Sequence, residues 1–288
     1  MMRGFLLLFL SAVYAFSLSI DGCGATFVTH AFDELSKAYQ KKTNISITYT
    51  PIGSSGGIKQ VLRGKADFGV SELEYKLEDN SYQLIPFVKG NISLVYNLDG
   101  VDRLVLDADV ISQIYLGKIT MWSDERIKAL NLGVNLPDKK INVVHRYDGS
   151  GTTFAFTSFL DKNSKEWRDK FGVAMALDWA VGVGKKGNLG VSEAIKQTPN
   201  SLGYVGYSHA RNFGLKKANL AYNDKIYSSD KKGYPLRSFS YFFLKIDGEK
   251  SQDVRRFIDF IYRSGDEIIN ESGLIPLDEN DKVRLSIR

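Results

Sequence analysis

The 288-residue sequence is poor in the residues on which disulfide frameworks and metal sites depend. Cys23 is its only cysteine, which excludes an internal disulfide. Its histidines, His30, His145 and His209, are widely separated along the chain and show no spacing typical of metal ligands. We therefore expect no metal and no cofactor, and we interpret Cys23 as a small buried thiol.

Long apolar runs are also missing beyond the N-terminus. Residues 5–16 are apolar at all but one position, follow the positive charge of Arg3, and number fewer than the roughly 20 residues that span a bilayer. This pattern is typical of a signal peptide, so we predict one at residues 1–18 and an exported, soluble, periplasmic protein. A cysteine after a signal can carry a lipid, but Asp21 lies in the cleavage region and Cys23 stands well beyond the apolar run, so we do not expect a lipid anchor.

No block of one charge dominates the sequence. Lysine and arginine exceed aspartate and glutamate by 38 to 33, but the basic residues are scattered. A basic stripe interleaved with aromatic residues is missing, so we expect no nucleic-acid partner. The formal net charge of +5 can attract anions through a weak long-range field.

Short strand-like runs alternate with amphipathic helical runs, which predicts an α/β fold. Residues 45–49 alternate apolar and polar positions as a strand does, whereas residues 251–264 have helical periodicity. No repeat and no linker rich in proline or serine divides the chain. If two domains exist, we expect the chain to cross between them in strand-like segments near residues 95–99 and 237–241.

Three loops rich in glycine and hydroxyl residues each follow a strand and precede a helix. Such a loop can bind an anion, because the first helical turn leaves N–H groups unpaired at the positive end of the helix dipole, glycine permits close approach, and hydroxyl groups donate. The serines and threonines can instead be ordinary helix caps, although capping does not require paired glycines. The loops are residues 24–27, 53–57 and 148–153.

Charged residues beside these loops suit an oxyanion. Arg146 can offer a guanidinium fork to a tetrahedral anion, and Asp148 can hold that fork in place; alternatively, the two form a surface ion pair of little consequence. Glu72 follows a predicted strand. A carboxylate tolerates a bound oxyanion only when the ligand carries a proton to donate to it. On its own, Glu72 is interpreted as a solvated loop carboxylate.

Taken in order, the motifs of this chain resemble those of the periplasmic phosphate-binding protein of bacterial phosphate ABC transporters. Each motif is moderately specific, but their collinear order extends over nearly the whole chain after the predicted signal. The stretches are GATF at 24–27, IGSSGGIKQ at 52–60, DFGVSE at 67–72, IYLGKI at 114–119 with Trp122, RYDGSGTTF at 146–154, GN at 187–188 and LGYV at 202–205.

The resemblance implies a two-lobed periplasmic-binding-protein clamshell of type II, in which each lobe is a mixed sheet flanked by helices. Lobe 1 would comprise residues 19–96 and 238–288, and lobe 2 residues 97–237. It also implies a monomeric receptor for inorganic phosphate, served by a permease pair with its ATPase, and no catalytic residues. The implied phosphate contacts are Thr26, Phe27 through its backbone N–H, Ser54, Glu72, Arg146, Ser150, Gly151 and Thr152, with Asp148 positioning the arginine.

Glu72 departs from the resemblance, because the family often has an aspartate that accepts the phosphate proton at this position. The extra methylene requires a shifted backbone or a different rotamer, which weakens the expectation that sulfate is rejected. Other tetrahedral oxyanions, namely sulfate, molybdate and tungstate, therefore remain alternatives. A hydrolase is a further one, although the nucleophile-elbow pattern around Ser150 would need glycine where Asp148 stands. A signalling or adhesive role at the cell surface also stays open.

Overall fold

The computed structural model describes residues 18–73 and 79–286, with side chains described as far as residue 282. The predicted signal at residues 1–18 lies outside the described residues except for its last position. Within the described part of the chain, no helix combines the length and the apolar character needed to cross a membrane.

Strands and helices alternate along the described residues. The strands are β1 (Ser19–Gly24), β2 (Ser46–Thr50), β3 (Phe68–Ser71), β4 (Tyr82–Asn97), β5 (Val105–Asp107), β6 (Asn142–Arg146), β7 (Val183–Lys185), β8 (Ser201–Gly206), β9 (Lys216–Tyr222), β10 (Lys225–Tyr227), β11 (Arg237–Lys245) and β12 (Ile275–Pro276). The α-helices are α1 (Thr29–Thr43), α2 (Ser54–Leu62), α3 (Ala108–Tyr115), α4 (Glu125–Leu130), α5 (Gly151–Asn163), α6 (Lys165–Lys170), α7 (Gly187–Gln197), α8 (Tyr207–Asn212), α9 (Ser251–Ser264), α10 (Asp266–Glu271) and α11 (Glu279–Ser286). A short 3₁₀ helix (Thr26–Val28) precedes α1.

The strands form a mixed sheet in the order β2-β1-β3-β11-β4-β8-β6-β7. Strand β1 runs parallel to β2 and β3, and the intervening helices α1 and α2 supply the crossovers that parallel strands require. Strand β11 is antiparallel to both β3 and β4. The predicted α/β class is confirmed.

Strand β4 joins the two halves of this sheet. The sequence predicts separate strands at residues 84–88 and 93–96, but a single strand of 16 residues is present. Because Asn91 is polar, the sequence suggests that one strand ends before it and another begins after it. Its side-chain amide, however, donates to two carbonyl groups of the segment after β10. Strand β4 pairs with β11 as far as Asn91 and with β8 from Ile92 onward. The lobe boundaries given above stay predictions.

Aromatic side chains build a packed core on each side of this change of partners. Stacked, tilted and edge-to-face rings surround the fully buried Phe32 on one side and Phe156 on the other. Aromatic rings bury large areas, so these clusters hold the strand ends, and the loops that follow them, in fixed positions. The first cluster contains Phe32, Tyr49, Phe68, Phe87, Phe242 and Phe257, and the second Tyr115, Phe156, Trp167, Trp179 and Tyr204.

Helix α2 begins four residues earlier than the sequence predicts. The local pattern predicts a loop at residues 54–57, because serine and glycine are weak helix formers. Tertiary packing overrides that preference here. An ideal Cβ on Gly57 would lie 2.6 Å from Cα of Gly24 and 2.8 Å from the carbonyl oxygen of Cys23, so α2 lies directly against β1. Cys23 is buried, as predicted, and burial raises the pKa of its thiol to about 11.

Gly57→Ala should therefore lower the free energy of unfolding by about 1–3 kcal/mol, because the new methyl group meets backbone atoms that cannot move aside. Gly56→Ala in the same helix is the control. Its Cβ would lie 3.1 Å from the flexible side chain of Ile52, and alanine favours helix over glycine by roughly 0.5–1 kcal/mol. Urea unfolding followed by circular dichroism compares the two, and equal stabilities would contradict the close packing of α2 on β1.

Candidate functional site

Five strand or helix ends carry the predicted site residues. Thr26 and Phe27 follow β1, Ser54 begins α2, and Glu72 follows β3. On the other half of the sheet, Arg146 ends β6, and Ser150 caps α5, which begins with Gly151 and Thr152. The carboxyl ends of parallel strands in α/β sheets are where ligands commonly bind, so this is the region in which a site is expected.

The α2 start and the α5 start meet across the cleft between the two halves of the sheet. The backbone N–H of Gly151 donates to the Ser54 hydroxyl at 3.0 Å, and the N–H of Ser55 donates to the carbonyl oxygen of Gly149 at 3.2 Å. Ser54 is 1% exposed, so the first contact is shielded from water. The second and third predicted anion loops therefore touch each other directly, and the second also touches the first, because the N–H of Gly53 donates to the carbonyl oxygen of Gly24 at 2.8 Å.

Arg146 is the largest buried cation of this region, with 1% of its surface exposed. It donates from Nε to Oδ1 of Asp148 at 2.6 Å and from Nη2 to Oδ2 of the same carboxylate. The N–H of Gly187 also donates to Asp148 Oδ1, at 3.1 Å. Burial alone raises the pKa of Asp148, but the hydrogen bonds and charge of Arg146 outweigh it and lower that pKa. Asp148 is therefore ionised and orients the guanidinium.

Nη1 is the nitrogen of the Arg146 guanidinium that does not bond to Asp148. It is buried and has no hydrogen-bond partner among the described residues. A buried donor without a partner costs roughly 1–3 kcal/mol, and more when it is charged. Such a donor is suited to a bound anion, which would satisfy it.

Glu72 is buried, not solvated as its loop position suggests, with 3% of its surface exposed. Its Oε2 accepts a hydrogen bond from the Ser54 hydroxyl at 2.5 Å, whereas Oε1 is buried without a partner in the described residues. Burial raises the pKa of Glu72 to about 7, although the Ser54 hydrogen bond and the charge of Arg146 act in the opposite direction. Glu72 can therefore exist with or without a proton near neutral pH.

The start of α5 combines a helix cap with a close approach to Glu72. The Ser150 hydroxyl accepts from the N–H of Thr153 at 3.0 Å, so in this structure it acts as an ordinary N-cap. An ideal Cβ on Gly151 would lie 1.7 Å from Oε2 of Glu72. Glycine is thus required here because any side chain would displace the carboxylate.

Asn188 joins the remaining predicted residues and is not itself among the predicted contacts. Its Nδ2 donates to the hydroxyl of Thr26 at 2.9 Å and to that of Thr152 at 3.2 Å, and its Oδ1 accepts from the N–H of Gly206 at 2.9 Å. Its backbone N–H also donates to Thr26. The one sequence signal for it is the Gly187-Asn188 pair at the start of a helix. Phe27 is buried, with its ring against the backbone of Gly90 and Gly206.

Asn188→Ala should weaken anion binding by about 5- to 50-fold, because it removes a bridge between the two halves and leaves the Gly206 N–H buried without a partner. Stability should fall by about 1–3 kcal/mol for the same reason. The matched control is Asn142→Ala, whose amide bonds one carbonyl at the surface, at 2.9 Å from Pro199. Calorimetric titration with inorganic phosphate measures the affinity of both variants, and urea unfolding measures their stability. An unchanged affinity in Asn188→Ala would contradict this bridge.

Trp179 and Tyr204 support the arginine strand from behind. The indole N–H of Trp179 donates to the carbonyl oxygen of Arg146 at 3.1 Å, and its ring stacks on His145 with 4.8 Å between centroids. The Tyr204 hydroxyl lies 2.7 Å from that of Thr153 and accepts from the N–H of Arg146 at 3.4 Å. His145 is thus engaged in stacking. Within residues 18–73 and 79–286, no cluster of three or more histidine, cysteine or acidic residues could hold a metal ion.

Comparison with known proteins gives consistent matches. Residues 17–275 match the family described as PBP superfamily domain. A phosphate-binding protein PstS of Xylella fastidiosa is 40% identical over 69% of this chain and 56% of its own length, and one of Haemophilus influenzae is 31% identical over 92% and 90%. The chain thus spans little more than half the length of the Xylella relatives in these alignments.

Solved structures show the same fold. A putative phosphate ABC transporter substrate-binding protein from Clostridium perfringens, with bound phosphate, has a TM-score of 0.72 at 24% identity and covers 90% of this chain and 100% of its own. A phosphate-binding protein from Stenotrophomonas maltophilia has a TM-score of 0.73 at 17% identity, with 94% of each chain covered. The two-lobed periplasmic-binding-protein fold is thereby confirmed.

Proposed function

Since the chain belongs to the PstS phosphate-binding proteins of the PBP superfamily, we propose that it captures inorganic phosphate and delivers it to the permease of an ABC importer. The Xylella and Haemophilus relatives are named phosphate-binding proteins, and the Clostridium structure holds phosphate. The chain acts as a receptor and not as an enzyme.

The observation that carries this proposal is the pair of unsatisfied atoms in one buried region. Nη1 of Arg146 is a donor without a partner, and Oε1 of Glu72 is an acceptor without one, among the described residues. A phosphate that still carries a proton can satisfy both, because its oxygens accept and its P–OH group donates. Sulfate at neutral pH has no such proton, so it would satisfy the arginine and repel an ionised Glu72.

The remaining contacts complete a tetrahedral cradle in this proposal. Phosphate would displace the Ser54–Gly151 contact, so that the Gly151 N–H donates to the ligand instead of to the Ser54 hydroxyl, and the Ser54 hydroxyl donates to the ligand instead of to Glu72. Further donors would be the hydroxyls of Thr26, Ser150 and Thr152 and the backbone N–H of Phe27. Asp148 would hold Arg146 in place, and binding to loops of both halves would favour the closed form of the clamshell.

Partners and location follow from the same proposal. The receptor would act as a monomer outside the cytoplasmic membrane and dock on a permease pair whose ATPase drives import. Phosphate uptake by proteoliposomes that contain such a permease and ATPase, with and without this protein, tests delivery.

Calorimetry of the protein freed of carried-over ligand tests the binding step. Titration with phosphate and arsenate should give one site per chain, whereas sulfate, molybdate and tungstate at neutral pH should bind weakly. Tight binding of sulfate or molybdate without phosphate binding would contradict the proposal. It would instead favour the alternative of a receptor for another oxyanion, which the protonatable Glu72 makes chemically feasible at acid pH.

A further inference from the structure

A second space, of about 280 Å³, lies beside the candidate site between helix α5 and strand β11. It has several times the roughly 30 Å³ that a water molecule occupies in the liquid, so it can hold a hydrated small anion. Its wall includes Phe154, Ser158 and Lys162 from α5, Arg237 and Ser238 from β11, and Glu72. We refer to it as the flank cavity.

Two cations of the flank cavity have no acidic partner among the described residues. Lys162 and Arg237 are exposed, and neither side chain makes an ion pair or a hydrogen bond within that part of the chain. By contrast, Lys165 and Arg168 nearby are each paired with an aspartate. Among the described residues that line the cavity, Glu72 is the only acid.

Glu72 connects the flank cavity with the candidate site. Glu72 lines the cavity, and its carboxylate accepts a hydrogen bond from the Ser54 hydroxyl and lies against Gly151. The cavity and the contacts proposed for phosphate therefore have Glu72 in common. Repulsion of an anion by Glu72 is reduced near neutral pH, because burial raises the pKa of this carboxyl group to about 7.

Two cations without an acidic partner in residues 18–73 and 79–282 lie on this concave surface, and such cations concentrate anions. Clefts lined by one sign of charge raise the local concentration of the opposite ion and its rate of association, and the effect falls steeply with ionic strength. Paired surface lysines contribute little to such a field, because the neighbouring carboxylate cancels their charge.

We propose that the flank cavity is a vestibule for inorganic phosphate, in which Lys162 and Arg237 attract the anion and pass it toward Glu72 and Arg146. This inference rests on the proposed function. It adds two residues that determine the rate of capture without being contacts of the bound ligand.

The experiment compares association and dissociation rates. Equilibrium dialysis with radiolabelled phosphate gives the affinity, and chase with unlabelled phosphate gives the dissociation rate, from which the association rate follows. Lys162→Ala/Arg237→Ala is tested against Arg103→Ala/Lys196→Ala, which leaves the same net charge. The control removes two exposed cations outside the cavity that have no ion-pair partner in the part of the chain that the structure describes. Lys162→Arg/Arg237→Lys keeps both charges in the cavity.

The cavity double variant should associate about three- to tenfold more slowly than the control double variant at low ionic strength, with a dissociation rate within about twofold of the unmodified protein. The difference should vanish at high salt, and the charge-preserving variant should behave as the unmodified protein. Equal association rates for the two double variants, or a change confined to dissociation, would overturn the vestibule. Failure of the unmodified protein to bind phosphate would instead refute the proposed function.

Discussion

Arg146→Ala is expected to lower phosphate affinity by about two to four orders of magnitude, or roughly 3–5 kcal/mol. The substitution removes the buried donor Nη1 and also leaves the carboxylate of Asp148 buried without its cation. An uncompensated negative charge beside the site would then repel an anionic ligand. Calorimetry of the ligand-free protein measures the loss.

Loss of folding must be separated from loss of binding, because removing one partner of a buried ion pair costs roughly 3–5 kcal/mol of stability. Arg146→Met/Asp148→Leu removes both charges, and such replacements are often neutral for stability. It should fold and still fail to bind phosphate. Arg146→Lys keeps the charge but loses the fork, and an intermediate affinity is expected. Phosphate binding of unmodified strength in Arg146→Ala would show that the site lies elsewhere.

Sulfate affinity should rise as the pH falls through about 7, because the protonated Glu72 can donate a hydrogen bond to an anion that has no proton of its own. Above that pH the protonated fraction falls about tenfold per unit, so sulfate binding should weaken by the same factor. Glu72→Gln keeps a permanent donor at this position. The variant should bind sulfate independently of pH and should lose most of the preference for phosphate.

Glu72→Asp is the control, because it restores the residue frequent in the family and retains a titratable carboxylate. Its sulfate affinity should remain dependent on pH. Titrations with both anions between about pH 6 and pH 8.5 cover the relevant range. If the sulfate affinity of the unmodified protein did not change with pH, Glu72 would be excluded as the group that recognises the proton of the ligand.

The stability of the ligand-free protein reports the same carboxyl group independently. The ordinary pKa of a glutamate carboxyl is 4.5, and burial raises that of Glu72 to about 7 in the folded chain, so its protonated form favours folding. The contribution is fully present below about pH 4.5 and is lost as the pH rises through 7, by about 3 kcal/mol in total. Glu72→Gln should therefore show a smaller fall in the free energy of unfolding over this interval than the unmodified protein.

The alternation of strands and helices could be predicted from local patterns, and helix α9 has the predicted bounds. Two features of the fold could not be predicted from local patterns. Helix α2 includes residues 54–57, because packing on β1 outweighs the weak helix preference of serine and glycine. Strand β4 continues through Asn91 because partners distant in sequence satisfy its amide. Both causes are tertiary contacts, which no local window contains.

In the candidate site, too, some residues carry local sequence signals and others depend on tertiary contacts. The loops and Arg146 carry local signals, namely glycine–hydroxyl runs before helices, and the structure brings Ser54 and Gly151 into contact. The burial of Glu72 could not be predicted, because it depends on the distant Gly151. Asn188 could not be identified as a site residue for a similar reason, since a lone asparagine gains its role only through Thr26 and Thr152.

The hydrogen bond between Trp179 and the Arg146 carbonyl makes the fluorescence of Trp179 sensitive to changes at the arginine. Of the three tryptophans, Trp122 and Trp167 are fully buried in the core, whereas Trp179 is half-buried and bonded to the arginine strand. Indole emission responds to local polarity and to stacked neighbours such as His145. Capture of an anion by Arg146 should thus be visible in the intrinsic fluorescence of Trp179, without a dye or any modification of the chain.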